Sequence, residues 1–527
     1  MRAALLPICL SIVCAGGAAA QERHSHPTGD QARALGDVSF ANTGAPAAQV
    51  PFHRGLALLH SFEYEEAAEA FREASKTDPG FAMAYWGEAL THAHLLWGED
   101  DSLAARQALQ RLGPTPAARV ARAGSAREKL YGAAIEALFA EADLAMRVRD
   151  FAAGMRRVVT QYPDDIDASA FAALALLFNH YVGELPAGQR DAVRTEAIAL
   201  AERVFQTNPR HPGGVHYLIH ATDDPAFAAR GLESARRYAE VAPEAEHALH
   251  MPSHIFLQLG LWADVVAANE RAWTASRAEV VARKLSNAEL SFHALQWLQY
   301  GYLQQGRYRA ARALIDTARA VLNGVDLANP VHADARYTIA WLEFMHAAHS
   351  GEWTAVLCSS ARAATTTPPA ESDRERAFQA NAAVRTAVSA VMCGSARPGS
   401  AEPPVLVAAL AAYQAGEHER AIALLGPIVS ARTQPPVGPP MLPRAHELFG
   451  AALLKAGRAR DAVRAYEQAL QSTPKRSQAL LGLARARTAA GDPAGARDAY
   501  RQLLVNWQNA DRGIDGLAEA TSAIQAN

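Results

Sequence analysis

Cysteine is scarce in this sequence: four residues in 527, at positions 9, 14, 358 and 393. None stands in a C-x-x-C or C-x-x-C-H setting, so thioredoxin-type exchange and c-type haem attachment have no support. Long apolar runs are missing too. Beyond the first twenty residues no stretch is apolar enough to span a bilayer. Excess charge of either sign is absent, the formal net charge being −3. A near-neutral chain of this size offers nothing that favours nucleic acid or an anionic membrane as a partner. Strand-like alternation of β-branched residues is also wanting, while Ala, Leu, Arg and Glu dominate, which points to helices. There is no P-loop, no G-x-S-x-G elbow, no H-E-x-x-H and no dinucleotide fingerprint. Ordinary kinase, hydrolase and dehydrogenase readings therefore lack a foothold.

The first twenty residues have the form of a secretory signal: Arg2, an apolar stretch from Ala3 to Val13, and Ala18-Ala19-Ala20 before Gln21. The expected mature protein is periplasmic or secreted, cleaved near Ala20. A lipoprotein alternative would use Cys14, but Val13 before it is bulky for that processing. Cleavage leaves Cys358 and Cys393, which in an oxidising compartment either bridge neighbouring helices or remain two buried thiols. Residues 21–50 are polar, contain Gly and Pro, and are expected to be flexible, His24 and His26 among them.

From residue 51 helical patterns follow one another. Tyr64, Ala67, Phe71 and Ala74 lie on one face of a helix closed by Pro79, and a further helix, expected over MAYWGEALTHAHLLWGED, carries Gly87 and Ala89 as small contact residues. A Gly-x-aromatic turn recurs at Gly260/Trp262, Gly306/Tyr308 and Gly351/Trp353. Nearer the C-terminus, Gly457, Ala462 and Tyr466 reappear 34 residues later as Gly491, Ala496 and Tyr500. A period of 34 is that of a helix–turn–helix repeat whose units bury their apolar faces against one another.

The same period governs the histidines. His216 and His220 in HPGGVHYLIHATDDP are followed 34 residues later by His250 and His254 in EHALHMPSHIFLQLG. Within each pair the i,i+4 spacing sets both imidazoles on one helix face. Stacked repeats, at 211–242 and 246–276, then gather four imidazoles into one patch. Asp224 follows His220 by one turn, with Asp223 beside it as a further candidate. Pro252 falls between His250 and His254 and costs little only if its helix begins near Leu249; a longer helix is kinked there.

The spacing of small and aromatic residues resembles the tetratricopeptide repeat over most of the mature chain. That resemblance implies an all-α, right-handed α-solenoid: degenerate repeats over 51–400, with a His-rich concave site, and closer-to-consensus repeats over 405–527. In the family the first helix of each repeat lines a groove that binds peptides of partner proteins. Counted back from Gly260, His247, His250 and His254 fall 13, 10 and 6 residues earlier, at what look like groove-facing positions, and His293 matches His247 one repeat on. The motifs HPGGVHY and HMPSHI are in addition similar to a group of exported bacterial tetratricopeptide proteins, a likeness that carries no activity with it.

Two function classes follow. Nitrogen and oxygen donors without a thiolate suit zinc, iron, copper or nickel, so His216, His220, His250, His254 and Asp224 are the expected metal ligands, with His247, His293, His60 and His94 as additional candidates. Five ligands exceed what one zinc ion needs, so either some stand behind the others or two ions bind. The competing class is a metal-free protein-interaction scaffold, in which the histidines are ordinary structural residues. Trp86, Trp97, Trp262, Trp273, Trp297, Trp341 and Trp353 are read as packing residues between helices.

Overall fold

A computed structural model describes residues 35–97, 99–243, 245–329, 332–360, 373–394, 404–431, 438–440 and 445–525. The expected signal segment, His24 and His26, and most of the Pro/Gly/Ser/Thr-rich connections after residue 360 lie outside the described residues. The described residues are predominantly helical, and the Cα trace divides into two compact units, 24–255 and 256–527, the division falling inside one short helix.

In the first unit the helices are α1 (Gln49–His60), α2 (Tyr64–Thr77), α3 (Ala82–Leu90), α4 (Ser102–Gln110), α5 (Pro116–Arg122), α6 (Ala126–Leu138), α7 (Leu144–Gln161), α8 (Ile166–Val182), α9 (Ala187–Thr207), α10 (Pro212–Thr222), α11 (Ala228–Val241) and α12 (Glu246–His250), with α13 (Pro252–Gln258) at the division. Most of these helices pack on the next, α5 packs on α3 and α6, and α8 also packs on α10, as stacked hairpins require. The predicted packing residues take their places. Phe71 is fully buried and lies against both Gly55 and Gly87, where a Cβ would strike its ring. One further contact closes the unit: α1 reaches α10 across more than 150 residues of sequence, with the His60 carbonyl at His216.

Three expectations need correction. Residues 35–48 are not a loose tail; Leu35 and Phe40 are buried, and the Phe40 ring packs on Phe52, Trp86 and Tyr131. The helix expected to run on from Gly87 stops at Leu90, and Ala93–His94 pairs antiparallel with Glu99–Asp100 in the one small strand pair among the described residues. The second histidine pair sits on two helices, because Pro252 has no N–H and the helix breaks between His250 and Pro252.

The second unit holds α14 (Trp262–Arg283), α15 (Phe292–Gln304), α16 (Tyr308–Val321), α17 (Ala333–Ser350), α18 (Ala355–Ser360), α19 (Asp373–Met392), α20 (Val405–Gln414), α21 (His418–Ser430), α22 (Ala445–Lys455), α23 (Ala459–Ser472), α24 (Ser477–Ala489), α25 (Pro493–Asn506) and α26 (Leu517–Gln525). Here the hairpins are regular. Gly457 and Gly491 turn the chain with φ of 77° and 79°, which a side chain would oppose. The Tyr466 ring is held between Gly450 and Gly482 of the flanking helices. Cys358 and Cys393 form a disulfide joining α18 to the end of α19. Among the described residues no helix is long and apolar enough to cross a membrane.

Candidate metal centre

Helix α10 is built for close approach. Pro212 opens it at a position where a missing N–H costs nothing, and the His211 ring caps it by accepting the Gly214 N–H through Nδ1 at 3.2 Å. Gly213 lets the His60 ring lie against the backbone, and Gly214 does the same for Val204; a Cβ at either would collide. The helix therefore sits deep, and both His216 and His220 are buried.

Around them the imidazoles of the first unit form a closed ring of five. Successive ring centroids are 4.8 Å apart for His216–His220, 6.2 Å for His220–His254, 5.2 Å for His254–His250, 6.5 Å for His250–His247 and 5.0 Å for His247–His216. Each short edge is a nitrogen–nitrogen contact. The Nε2 atoms of His220 and His247 each lie 3.1 Å from Nε2 of His216, and Nε2 of His250 lies 3.2 Å from that of His254.

The outer nitrogens decide which ring atoms carry protons. His216 donates its Nδ1–H to the His60 carbonyl at 2.7 Å, so its Nε2 is a bare lone pair facing His220 and His247. His254 sends Nδ1 to the Asp223 carboxylate at 2.7 Å, which aims its Nε2 at His250. An imidazole lone pair has a single in-plane direction, so His216 cannot accept well from two rings at once. A cation shared by the three removes that conflict. On a four-coordinate ion with metal–nitrogen bonds of about 2.0–2.1 Å, neighbouring donors sit about 3.3–3.4 Å apart. The observed spacings approach that edge, and the donor set fits an imidazole-preferring transition ion.

Electrostatics agree. Burial drives the His216, His220 and His247 imidazoles well below their usual range, and the neighbouring imidazoles add to the effect, so protons do not compete for these nitrogens near neutrality. Beneath lies a second buried cluster. Asp167 Oδ1 accepts from His211 Nε2 at 3.1 Å and faces His60 Nε2 at 3.9 Å, while His60 Nδ1 pairs with the Tyr217 hydroxyl at 2.9 Å. Burial pushes the Asp167 carboxyl up, but its histidine neighbours outweigh that and hold it at about 2. Burial lowers His60 to about 4. Because His211 accepts at Nδ1, its Nε2 bears the proton that Asp167 takes, so this group braces His60 with no lone pair left over on His211 for an ion.

Aromatic side chains cover the cluster. Phe62, in the turn between α1 and α2, has φ of 59°, a left-handed conformation that costs a side-chain-bearing residue about 1–2 kcal/mol. Its ring centroid lies 4.3 Å from His216 and 5.6 Å from His247. Tyr238 stacks on His216 at 5.0 Å, and the half-buried Trp97 meets His247 edge-on at 5.8 Å.

Of the sequence-predicted ligands, then, His216, His220, His250 and His254 converge, and His247 joins them. The rings are enclosed instead of lining an open wall. Asp224 turns away: it pairs with Arg194 at 3.1 Å and accepts the Ala226 N–H in the turn before α11, because the chain reverses at the end of α10 and only Asp223 faces inward. His60 serves through its carbonyl. His94 stands apart, stacked on Tyr64 at 4.0 Å with Nε2 on the Thr91 carbonyl. His293 belongs to α15 of the second unit, where its ring meets Trp297. Trp97, read as mere packing, borders the cluster. Asp167 and Phe62 carried no spacing signal; His211 and Tyr217 lay inside the HPGGVHY motif.

The class so defined is an all-α repeat protein with an enclosed five-imidazole cluster. Residues 448–511 match the family model of the tetratricopeptide repeat. No curated protein matches the chain. Among solved structures it is similar to the tetratricopeptide repeat domain of P58(IPK), with 12% identity, 91% of this chain and 98% of that one covered, and a TM-score of 0.22. It is also similar to the Cut9–Hcn1 hetero-tetramer of APC/C, with 10% identity, coverage of 91% and 76%, and a TM-score of 0.37. A third is the human IFIT1 dimer with m7Gppp-AAAA, with 11% identity, coverage of 89% and 91%, and a TM-score of 0.29.

Proposed function

We propose that this is an exported helical-repeat protein that keeps a resident transition-metal ion, zinc, iron or copper, on His216, His220 and His247. The observation that carries this reading is the convergence of three Nε2 atoms, two of them 3.1 Å from a His216 nitrogen whose own proton is committed to the His60 carbonyl. Three imidazoles leave a coordination position for water or a small molecule, the arrangement that lets a metal polarise or activate what it binds. Burial under Phe62 favours a resident centre over a carrier that must release its ion. The Cys358–Cys393 disulfide supports export to an oxidising compartment.

Elemental mass spectrometry on tag-free protein, beside a His216→Ala/His254→Ala variant, tests this. Stoichiometric metal in the parent, lost in the variant, is expected. No metal in either after incubation with zinc, iron and copper would refute it. That outcome would leave the second reading, a protein-docking scaffold, which the repeat match at 448–511 favours.

A further inference from the structure

The five imidazoles are not evenly spaced. Three edges of the ring, at 4.8, 5.0 and 5.2 Å, carry nitrogen–nitrogen contacts, and two, at 6.2 and 6.5 Å, do not. The long edges divide the ring into a triad, His216/His220/His247, and a pair, His250/His254. Each group has one imidazole whose outer nitrogen is fixed by a hydrogen bond so that Nε2 points inward: His216 by the His60 carbonyl, His254 by Asp223. Each also has one buried carboxylate behind it, Asp167 across His60 and Asp223 directly, with 1% and 4% of their surfaces exposed. An orienting bond and a buried counter-charge are what a cation bound by neutral donors needs, since the donors bring no charge of their own. Here both provisions occur twice.

Resting on the reading above, we propose that the cluster holds two transition-metal ions side by side, the first on the triad and the second on His250 and His254, with Asp223 orienting the second and balancing its charge. Two neighbouring ions can clamp a single small ligand, such as water or an oxyanion, between them. The 34-residue repetition of the His pairs then supplies one pair to each seat, with His247 completing the first.

Zinc counting on the full chain decides it. Tag-free protein is loaded with zinc sulfate, freed of excess by gel filtration, and assayed for zinc and protein together. Two zinc per chain is expected for the parent, and one for His250→Ala/His254→Ala, with helicity by circular dichroism showing that the variant folds. One zinc in the parent, or none in a folded variant, overturns the second seat; none in the parent also overturns the reading it rests on. Asp223→Asn keeps all five imidazoles and guards against misfolding of the double variant. It is expected to weaken one zinc of the two by about 10–100-fold, and equal weakening of both, or of neither, counts against the proposal.

Discussion

At His216 and His254 the two nitrogens of each ring have different partners, and the difference sets what the ring can do. A hydrogen bond on one side fixes the tautomer and aims the other nitrogen, so a neighbour one residue away in sequence changes the chemistry. Asp223 makes such a bond and Asp224 does not. Asp224→Asn is therefore expected to leave metal content unchanged and to lower stability by about 1 kcal/mol through the lost Arg194 pair, read from chemical denaturation beside elemental analysis. A parallel loss of metal would contradict the assignment.

The buried histidines also fix a pH response. His60 and His180 are each lowered from 6.5 to about 4, chiefly by burial. Below pH 6.5 the unfolded chain takes up protons that the folded protein refuses until about pH 4. Their contribution is thus complete above pH 6.5 and is lost as pH falls toward 4, by at most about 1.4 kcal/mol per pH unit for each group. The urea midpoint of metal-free protein should drop steadily between pH 7 and 5; a flat midpoint would contradict these environments.

Among elements, α10 and the turn before α2 govern the cluster. Replacing Gly by Ala in a free helix gains up to about 1 kcal/mol. Gly213→Ala should do the opposite, because its Cβ meets the His60 ring; lower thermal stability and weaker metal retention are expected together. At the turn, Phe62→Gly and Phe62→Ala both uncover the rings and should speed metal exchange with a chelator. Glycine should be the more stable of the two by about 1 kcal/mol, since it alone accepts the left-handed backbone without strain. Equal stability would mean the turn relaxes once the ring is gone. The 34-residue spacing of His216/His220 and His250/His254 made the heart of the cluster legible, since helical periodicity is a local property. Asp223 against Asp224 was not, because a helix terminus redirects the chain within one residue. Asp167 and Phe62 were not legible either, nor was the part that the candidate His60 plays through its carbonyl: these arrive through the α1–α10 and α8–α10 contacts, which no local pattern encodes. The strand pair at 93–100 was hidden by its helix-like composition.

For the whole molecule, the regular hairpins near the C-terminus were readable as repeats because Gly457/Gly491 and Tyr466/Tyr500 keep consensus turn and packing chemistry. The earlier stack has traded that regularity for buried polar side chains. The Cys358–Cys393 bond closes a loop with a sequence separation of 35 in the second unit, and its reduction should cost about 3 kcal/mol of that unit's stability. Calorimetry with and without reductant should show an unfolding transition moving down, while the zinc count, set by imidazoles of the other unit, stays the same. No shift on reduction would contradict a stabilising bridge.

The claim that imidazoles of this cluster hold the ion is tested most directly by X-ray absorption at the edge of the bound metal in tag-free protein. A coordination sphere of nitrogen and oxygen alone, with the outer scattering pattern of several imidazole rings, is the expected result. Sulfur neighbours, or a shell of water oxygens without imidazole scattering, would contradict it.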